Sequence, residues 1–473
     1  MSGYYVENFG CRATQADGAA VERQFEEQGL ARASSSAQAA VVVLNTCTVT
    51  AAADQDARAA IRRLQRQNPE ARIVVTGCYA QRAPEEVAAL PGVSVVIGNS
   101  HKHQLAQIAL HGQMEAASPG TLIPLDALTS NRERPVVDDE RPIFVSDIFA
   151  HTELLAAPVF DAANERTRPN LKVQDGCDNR CSFCVIPYVR GQSRSLKMDR
   201  IIGEVKALVE SGYREVVISG INLGRWGRDL GAGGRQMTLE SLVGGILAET
   251  WLEKLRISSV EPMDWSDELI TLVAGSPRIA KHAHVPMQSG SDAVLRRMHR
   301  KYRPWHYREK IEKIRGAMPT AAIGADVMVG FPGETDAEFE ATRRMVEDLS
   351  FTYLHVFTYS PRPGTPAAAM NNQVAVQVAR ERNRILRELA AAKKLAFMRG
   401  FVGETVEAIT LNVVGHDGSG EFTAALTDNY LKLRLRGRHE ANRWTRAWID
   451  GVVDGALVGA ISTRRQGPRP GAS

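Results

Sequence analysis

Over the first 110 residues, short apolar runs alternate with stretches of helical periodicity. The runs "YYVENFGC", "AAVVVLNTC", "ARIVVTGC" and "VSVVIG" read as strands. Between them "DGAAVERQFEEQGL", ending at Gly29, "ADQDARAAIRRLQRQNP", closed by Asn68-Pro69, and "APEEVAAL" read as helices. Continuous apolar strands separated by helices predict a parallel sheet covered on both faces. The next stretch, with "MEAASPGTLIP" and "NRERPVVDDERP", is rich in proline and charge and keeps no period, so it reads as a linker with some ordered packing.

From Asn170 the alternation resumes. Strand candidates are "LKVQDG", "REVVISGIN", "KLRISSVEP", "HAHVPMQSG", "AAIGADVMVGFPG" and "YLHVFTYS", with amphipathic segments such as "DRIIGEVKALVESG" and "HYREKIEKIRGAM" between them. Six such β/α units are too few for a closed eightfold barrel and predict a partial, open one. A long helix over 374–399 follows. The pattern then changes to strands joined by Gly-rich turns, "GETVEAITLNVVG", "EFTAALTDNYLKLRLRG" and "RWTRAWIDGVVDGALVGAIS", which predicts a small β-barrel. The predicted fold class is α/β. An N-terminal parallel α/β domain spans 1–112, a linker 113–168, a partial (β/α)6 barrel 169–372, a connecting helix 373–399, a small β-barrel 400–463 and a disordered tail 464–473.

Composition narrows the class. Apolar residues make up 44% and charged residues 24%, ordinary for a globular protein, and no apolar run is long enough to span a bilayer. The start, "MSGYYVENFGC", lacks the basic and apolar regions of a secretory signal, so a cytoplasmic location is expected. In a reducing compartment, clustered cysteines read as metal-binding or catalytic. The net charge of +4 is unevenly placed: residues 373–473 hold 16 Lys+Arg against 10 Asp+Glu, while the first 372 hold 42 against 44. A basic end fits a polyanionic partner, and equally a solvated helix with a basic tail.

Candidate chemistry lies in the six cysteines. "QDGCDNRCSFC" places Cys177, Cys181 and Cys184 in a C-x3-C-x2-C loop after a strand. Thiolates are soft ligands for zinc and for iron–sulfur clusters. Structural zinc needs four ligands, and no histidine stands close by in sequence; a distant ligand would complete such a loop. Three thiolates on a four-iron cluster would leave one iron open to a small molecule. Cys11, Cys47 and Cys78 each follow the end of a predicted strand. In a parallel sheet those ends share one edge, so these thiols should converge into a second three-cysteine group.

C-x3-C-x2-C, with Phe183 before its last cysteine, resembles the signature of radical S-adenosylmethionine (SAM) enzymes, whose core is a partial barrel. "VMVGFPGE", which contains Gly330 and Glu334, resembles that family's motif around the adenine of SAM. "VISGIN" and "SSVEP" end predicted strands at the barrel face that carries active sites, which makes Asn222, Glu261 and Gln288 candidate contacts to SAM or substrate. The whole arrangement resembles the methylthiotransferase family, with "GETVEAI" and "TDNYLKLRLRG" resembling its RNA-binding TRAM barrel. The resemblance implies two [4Fe-4S] clusters, a radical-generating one on Cys177, Cys181 and Cys184 and a sulfur-carrying one on Cys11, Cys47 and Cys78. It also implies SAM, a tRNA anticodon-loop substrate, a sulfur donor, an electron donor and no membrane.

Within the family, "NTCTVT", "TGCYAQ", "RMHRKY" and "HVFTYSPRPGTPA" resemble the branch that acts on threonylcarbamoyladenosine at position 37 of tRNA. Other branches act on isopentenyl-adenosine or on a ribosomal-protein aspartate. A carboxylate-bearing substrate calls for a cation or backbone N–H donors; Arg190, Arg194, Arg300, Lys301 and Arg362 are candidates. Trp226, Tyr302 and Trp305 are candidates for stacking on neighbouring bases, or simply packing residues. "GCRATQ" departs from the family form at Thr14. A non-catalytic RNA-binding protein with structural zinc is the alternative of another class.

Overall fold

The computed structural model describes residues 3–112, 141–151, 154, 168–231, 237–418 and 420–462. In chain order the first sheet domain contains β1 (Tyr4–Asn8), α1 (Arg12–Glu27), β2 (Val41–Thr46), α2 (Ala51–Gln67), β3 (Arg72–Gly77), α3 (Cys78–Arg82), α4 (Pro84–Ala88), β4 (Val93–Gly98), α5 (Leu105–His111) and β5 (Ile143–Phe144). The sheet is parallel throughout, in the order β1-β2-β3-β4-β5. Fully buried β2 explains its unbroken apolar run. One face of the sheet packs Ile61, Leu64 and Val87, and the other packs Val21, Phe25 and Ile108.

Most of the expected linker lies outside the described residues, but its middle contributes β5, two residues long and paired to β4. A two-residue strand has no period to read, so the sequence carries no signal for it.

The central domain runs β6 (Asn170–Asp175), α6 (Ile186–Arg190), β7 (Arg194–Ser195), α7 (Met198–Glu210), β8 (Glu215–Gly220), α8 (Leu239–Glu249), β9 (Lys254–Ile257), α9 (Asp267–Gly275), β10 (His282–His284), α10 (Asp292–Arg297), α11 (Pro304–Ala317), β11 (Ala322–Val329), α12 (Asp336–Asp348) and β12 (Tyr353–Thr358). β6, β8 and β9 pair in parallel, as do β10, β11 and β12. Parallel bridges Leu255–Ile279 and Ser259–His284 join the two sets into one open barrel of six strands. This is the partial barrel expected, with β7 added as an antiparallel edge beside β6. Helix starts follow local capping chemistry: Thr335 caps α12 with Glu338 closing the box, and the Ser266 and Ser291 hydroxyls cap α9 and α10.

α13 (Val376–Arg399) leads into a closed barrel of β13 (Thr405–Asp417), β14 (Gly420–Thr427), β15 (Lys432–Arg436), β16 (Trp444–Val453) and β17 (Ala456–Ile461), in the order β13-β14-β15-β17-β16. Its core holds Leu433, Leu435, Ile449 and Leu457. The expected tail at 464–473 lies outside the described residues. No helix among the described residues is long and apolar enough to cross a membrane.

Candidate active site

The N-terminal thiols meet at one edge of the first sheet. Cys11 follows β1, Cys47 follows β2 and Cys78 opens α3 after β3. Gly10 adopts φ +103°, and a Cβ there would stand 2.7 Å from the Cys47 Cβ and 3.0 Å from its sulfur, so the first and second cysteines approach only across a glycine. Burial pushes the Cys47 thiol up to about 12, and the neighbouring Cys78 and Cys11 sulfurs add to the effect. Val49 N–H points at the Cys47 sulfur at 3.5 Å. Asn99 Nδ2 lies 3.7 Å from the Cys78 sulfur while donating to the Val189 carbonyl on α6.

The second set stands after β6. Gly176, at φ +72°, precedes Cys177, and a Cβ there would stand 1.8 Å from the Gln192 carbonyl oxygen. Burial pushes the Cys184 thiol up to about 12, with the Cys181 and Cys177 sulfurs reinforcing it, and burial raises Cys177 as well. Polar donors are aimed at these sulfurs. Arg300 Nη1 reaches Cys181 Sγ at 3.2 Å, Asn179 N–H reaches Cys177 Sγ at 3.4 Å, and Asn222 Nδ2 stands 3.6 Å from the same sulfur.

In both sets, three soft ligands are crowded in a place where bare thiolates repel one another. A cationic iron site relieves that repulsion, so the donor sets fit iron–sulfur clusters.

A cavity of 250 Å³ opens beside Cys184 of the second set. Val49 and Thr50, just past Cys47, line one side, and Phe183, Cys184 and Ile186 line another. Gln288, Asp326, Met328 and Phe357 from the barrel close it.

The comparisons with known proteins agree with this geometry. A profile described as Uncharacterized protein family UPF0004 matches residues 3–98, and the Radical SAM superfamily matches residues 171–346. The chain is similar to the Threonylcarbamoyladenosine tRNA methylthiotransferase MtaB of Bacillus subtilis (strain 168), at 36% identity over 93% of this chain and 92% of that protein. The chain belongs to the radical SAM methylthiotransferase family. It is also similar to a tRNA-2-methylthio-N(6)-dimethylallyladenosine synthase of Erythrobacter litoralis, at 34% identity over 88% of each chain. Among solved structures it shares its fold with the radical S-adenosylmethionine methyltransferase TsrM from Kitasatospora setae, with a TM-score of 0.51 and 16% identity over 78% of this chain and 77% of that one. Membership sets aside the non-catalytic zinc protein. It implies a [4Fe-4S] cluster and SAM.

In this methylthiotransferase, the other residues singled out in the sequence fall into three groups. Phe183 and Gln288 line the cavity, and Gln288 holds φ +61° beside its bridge partner Val327. Asn222 and Glu261 stand beside the second thiol set, Glu261 through an ion pair with Arg300. Gly330, at φ +74°, and Glu334 lie at the end of β11. The Glu334 carboxylate accepts from Gly330 N–H at 3.0 Å and pairs with Arg382 of α13. Three of the candidate cations are already taken: Arg190 by Asp17 and Asp175, Arg300 by Glu261, and Arg362 by Asp54. Arg194 is buried and donates to the His151 carbonyl. Trp226 and Tyr302 are buried packing residues whose polar atoms donate to the Leu196 and Met287 carbonyls, whereas Trp305 is exposed. Thr14 places its hydroxyl 3.6 Å from Cys11 Sγ.

The pairing of Arg190 belongs to a buried charge network with no pattern along the chain. Asp17 of α1 accepts from Arg190 at 2.9 Å and Lys102 at 3.2 Å, and contacts Lys172. Asp175 completes the group, taking Arg190 at 2.9 Å and Lys172 at 2.8 Å. All five are buried. This network ties α1 and the loop at Lys102 to β6 and α6, that is, the first thiol set to the second. The available signal is Lys172 in the middle of a buried strand, where an unpaired charge is not tolerated.

Proposed function

We propose that this protein transfers a methylthio group to C2 of the adenine of N6-threonylcarbamoyladenosine at position 37 of tRNA. The observation that carries the reading is the cavity lined by Cys184 of one thiol set and by Val49 and Thr50, two and three residues past Cys47 of the other. The threonylcarbamoyl substrate rests on the activity for which relatives at 36% and 35% identity are named.

In this reading Cys177, Cys181 and Cys184 hold one [4Fe-4S] cluster and Cys11, Cys47 and Cys78 hold a second. When bound, these groups with SAM supply the radical that activates an unreactive aromatic C–H bond and the sulfur that replaces the hydrogen. The chain does the rest. Arg300 holds the Cys181 sulfur and fixes Glu261; Asn222 steadies the Cys177 sulfur. Phe183 and Met328 help keep water from that cavity. The Asp17–Arg190 network fixes the separation of the sets, which matters because a misplacement of about 1 Å can cost 10²-fold in rate.

Delivery of the base uses a groove of 760 Å³ between the open barrel, α13 and the C-terminal barrel. Its lining includes Arg168, Arg387, Lys394, Lys432 and Arg434, cations suited to phosphates of a single-stranded loop. A sulfur donor, an electron donor and a cytoplasmic setting belong to the same reading. Mass spectrometry of tRNA nucleosides from cells with and without the gene tests it. Loss of 2-methylthio-threonylcarbamoyladenosine with accumulation of its precursor supports the reading; loss of the isopentenyl product instead moves the protein to the other tRNA branch.

A further inference from the structure

Three side chains on the inner face of the open barrel form a group that the reaction above does not use. His284 of β10 places Nε2 3.2 Å from Asp326 Oδ2. His355 of β12 places Nδ1 3.2 Å from the other oxygen, Oδ1. Their ligand atoms all lie within 4.8 Å of one another. Two ligands bound to one zinc at about 2.0–2.1 Å in tetrahedral geometry stand about 3.3 Å apart, close to the two nitrogen–oxygen distances of 3.2 Å here.

On its far side His284 is held in place: its Nδ1 lies 3.0 Å from the Tyr353 hydroxyl, which also stands 2.7 Å from Nε2 of the buried His282. Its Nε2 is left to face the Asp326 carboxylate. An imidazole whose far nitrogen is fixed by a hydrogen bond is also the usual setting of a metal-bound histidine.

The group stands where a ligand would meet it. Asp326 lines the 250 Å³ cavity, and His355 lines the 760 Å³ groove. Charge gives it a task. Without a metal, the Asp326 carboxylate repels an anionic substrate. A divalent ion makes the group net positive. Arg190, Arg300 and Arg362, three buried candidates for a substrate carboxylate, are already paired.

We propose that His284, Asp326 and His355 hold a divalent transition metal whose open position faces the cavity and takes the carboxylate of the threonylcarbamoyl group. Two imidazoles and one carboxylate suit zinc or ferrous iron. The metal site stands on its own geometry, while its carboxylate role rests on the threonylcarbamoyl reading.

Zinc is the probe, because it is counted apart from cluster iron. Anaerobically purified holoprotein is dialysed against micromolar zinc, then against metal-free buffer, and zinc and iron are both measured. The wild type retains about one zinc per chain. Asp326→Asn and the exposed His355→Ala each weaken zinc binding about tenfold or more, with iron unchanged. No retained zinc in the wild type, or equal retention in both variants, overturns the site. A second measurement compares the affinities of the zinc-loaded protein for anticodon stem-loops carrying threonylcarbamoyladenosine or plain adenosine. A preference that vanishes on zinc removal supports the carboxylate role, and equal affinities with zinc bound overturn it. The proposed reaction is read separately, by its nucleoside product, so either can fail without the other.

Discussion

Arg190 Nη2 donates to Asp17 Oδ2 at 2.9 Å, and this contact joins the helix that follows Cys184 to the helix that follows Cys11. Both residues are buried, so the pair is not a surface decoration. Removing one partner leaves an uncompensated charge in the interior, which costs about 3–5 kcal/mol. Asp17→Asn should therefore lower the urea midpoint of the whole protein. Methylthiolation should fall further than the loss of folded protein accounts for, because the two thiol sets lose their common anchor. A variant with full stability and unchanged turnover contradicts this role.

The same carboxylate predicts a pH dependence. Burial pushes the Asp17 carboxyl up, but Arg190, Lys102 and Lys172 together pull it further the other way, from 3.8 to about 2. A group depressed on folding contributes stability that is fully present above its unfolded pKa and is lost as pH falls through its folded pKa. Asp17 thus adds its share above about pH 4 and gives it up between 4 and 2. Acid titration of stability should show a shallower loss in that window for Asp17→Asn than for the wild type.

Gly10 predicts a local failure. A Cβ at φ +103° would press on Cys47, so Gly10→Ala should disturb the first thiol set and spare the second. Iron in the anaerobically purified protein should fall from about eight to about four per chain. Cys177→Ala should give the same total by emptying the other set, with no methylthiolated product. Full iron in either variant contradicts the assignment of the thiols.

Arg300 tests how the second set is tuned. Its guanidinium bonds the Cys181 sulfur at 3.2 Å and pairs with Glu261. Arg300→Gln removes the charge but keeps much of the side chain. The expected effect is a loss of about 10- to 100-fold in turnover with the iron retained. An altered electron paramagnetic resonance spectrum of the reduced protein would separate this tuning from simple unfolding.

What could be read from the sequence follows from range. Cys177, Cys181 and Cys184 are neighbours in the chain, so their spacing alone exposes a ligand set. Cys11, Cys47 and Cys78 are far apart, yet each ends an apolar strand, and a parallel sheet brings such ends to one edge. The meeting of Asp17 with Lys172, 155 residues apart, has no local pattern behind it, and neither does the grouping of His284, Asp326 and His355. Local signals also failed at α1, which begins at Arg12 after a Cys11 N-cap that makes no side-chain cap hydrogen bond, so the usual polar start signal is absent. Charge and a place in loops or helices near the barrel mouth mark the candidate cations, and only the fold shows that Arg190 and Arg362 already have partners.

We propose that the two thiol sets together carry out methylthiolation of threonylcarbamoyladenosine. The most direct test is a reaction of the purified, cluster-loaded protein with SAM, a reductant and two tRNAs, one carrying threonylcarbamoyladenosine and one isopentenyl-adenosine. The account predicts a methylthio product, detected by nucleoside mass spectrometry, from the first tRNA alone. Product from the second tRNA alone, or none from either with both clusters intact, would contradict it.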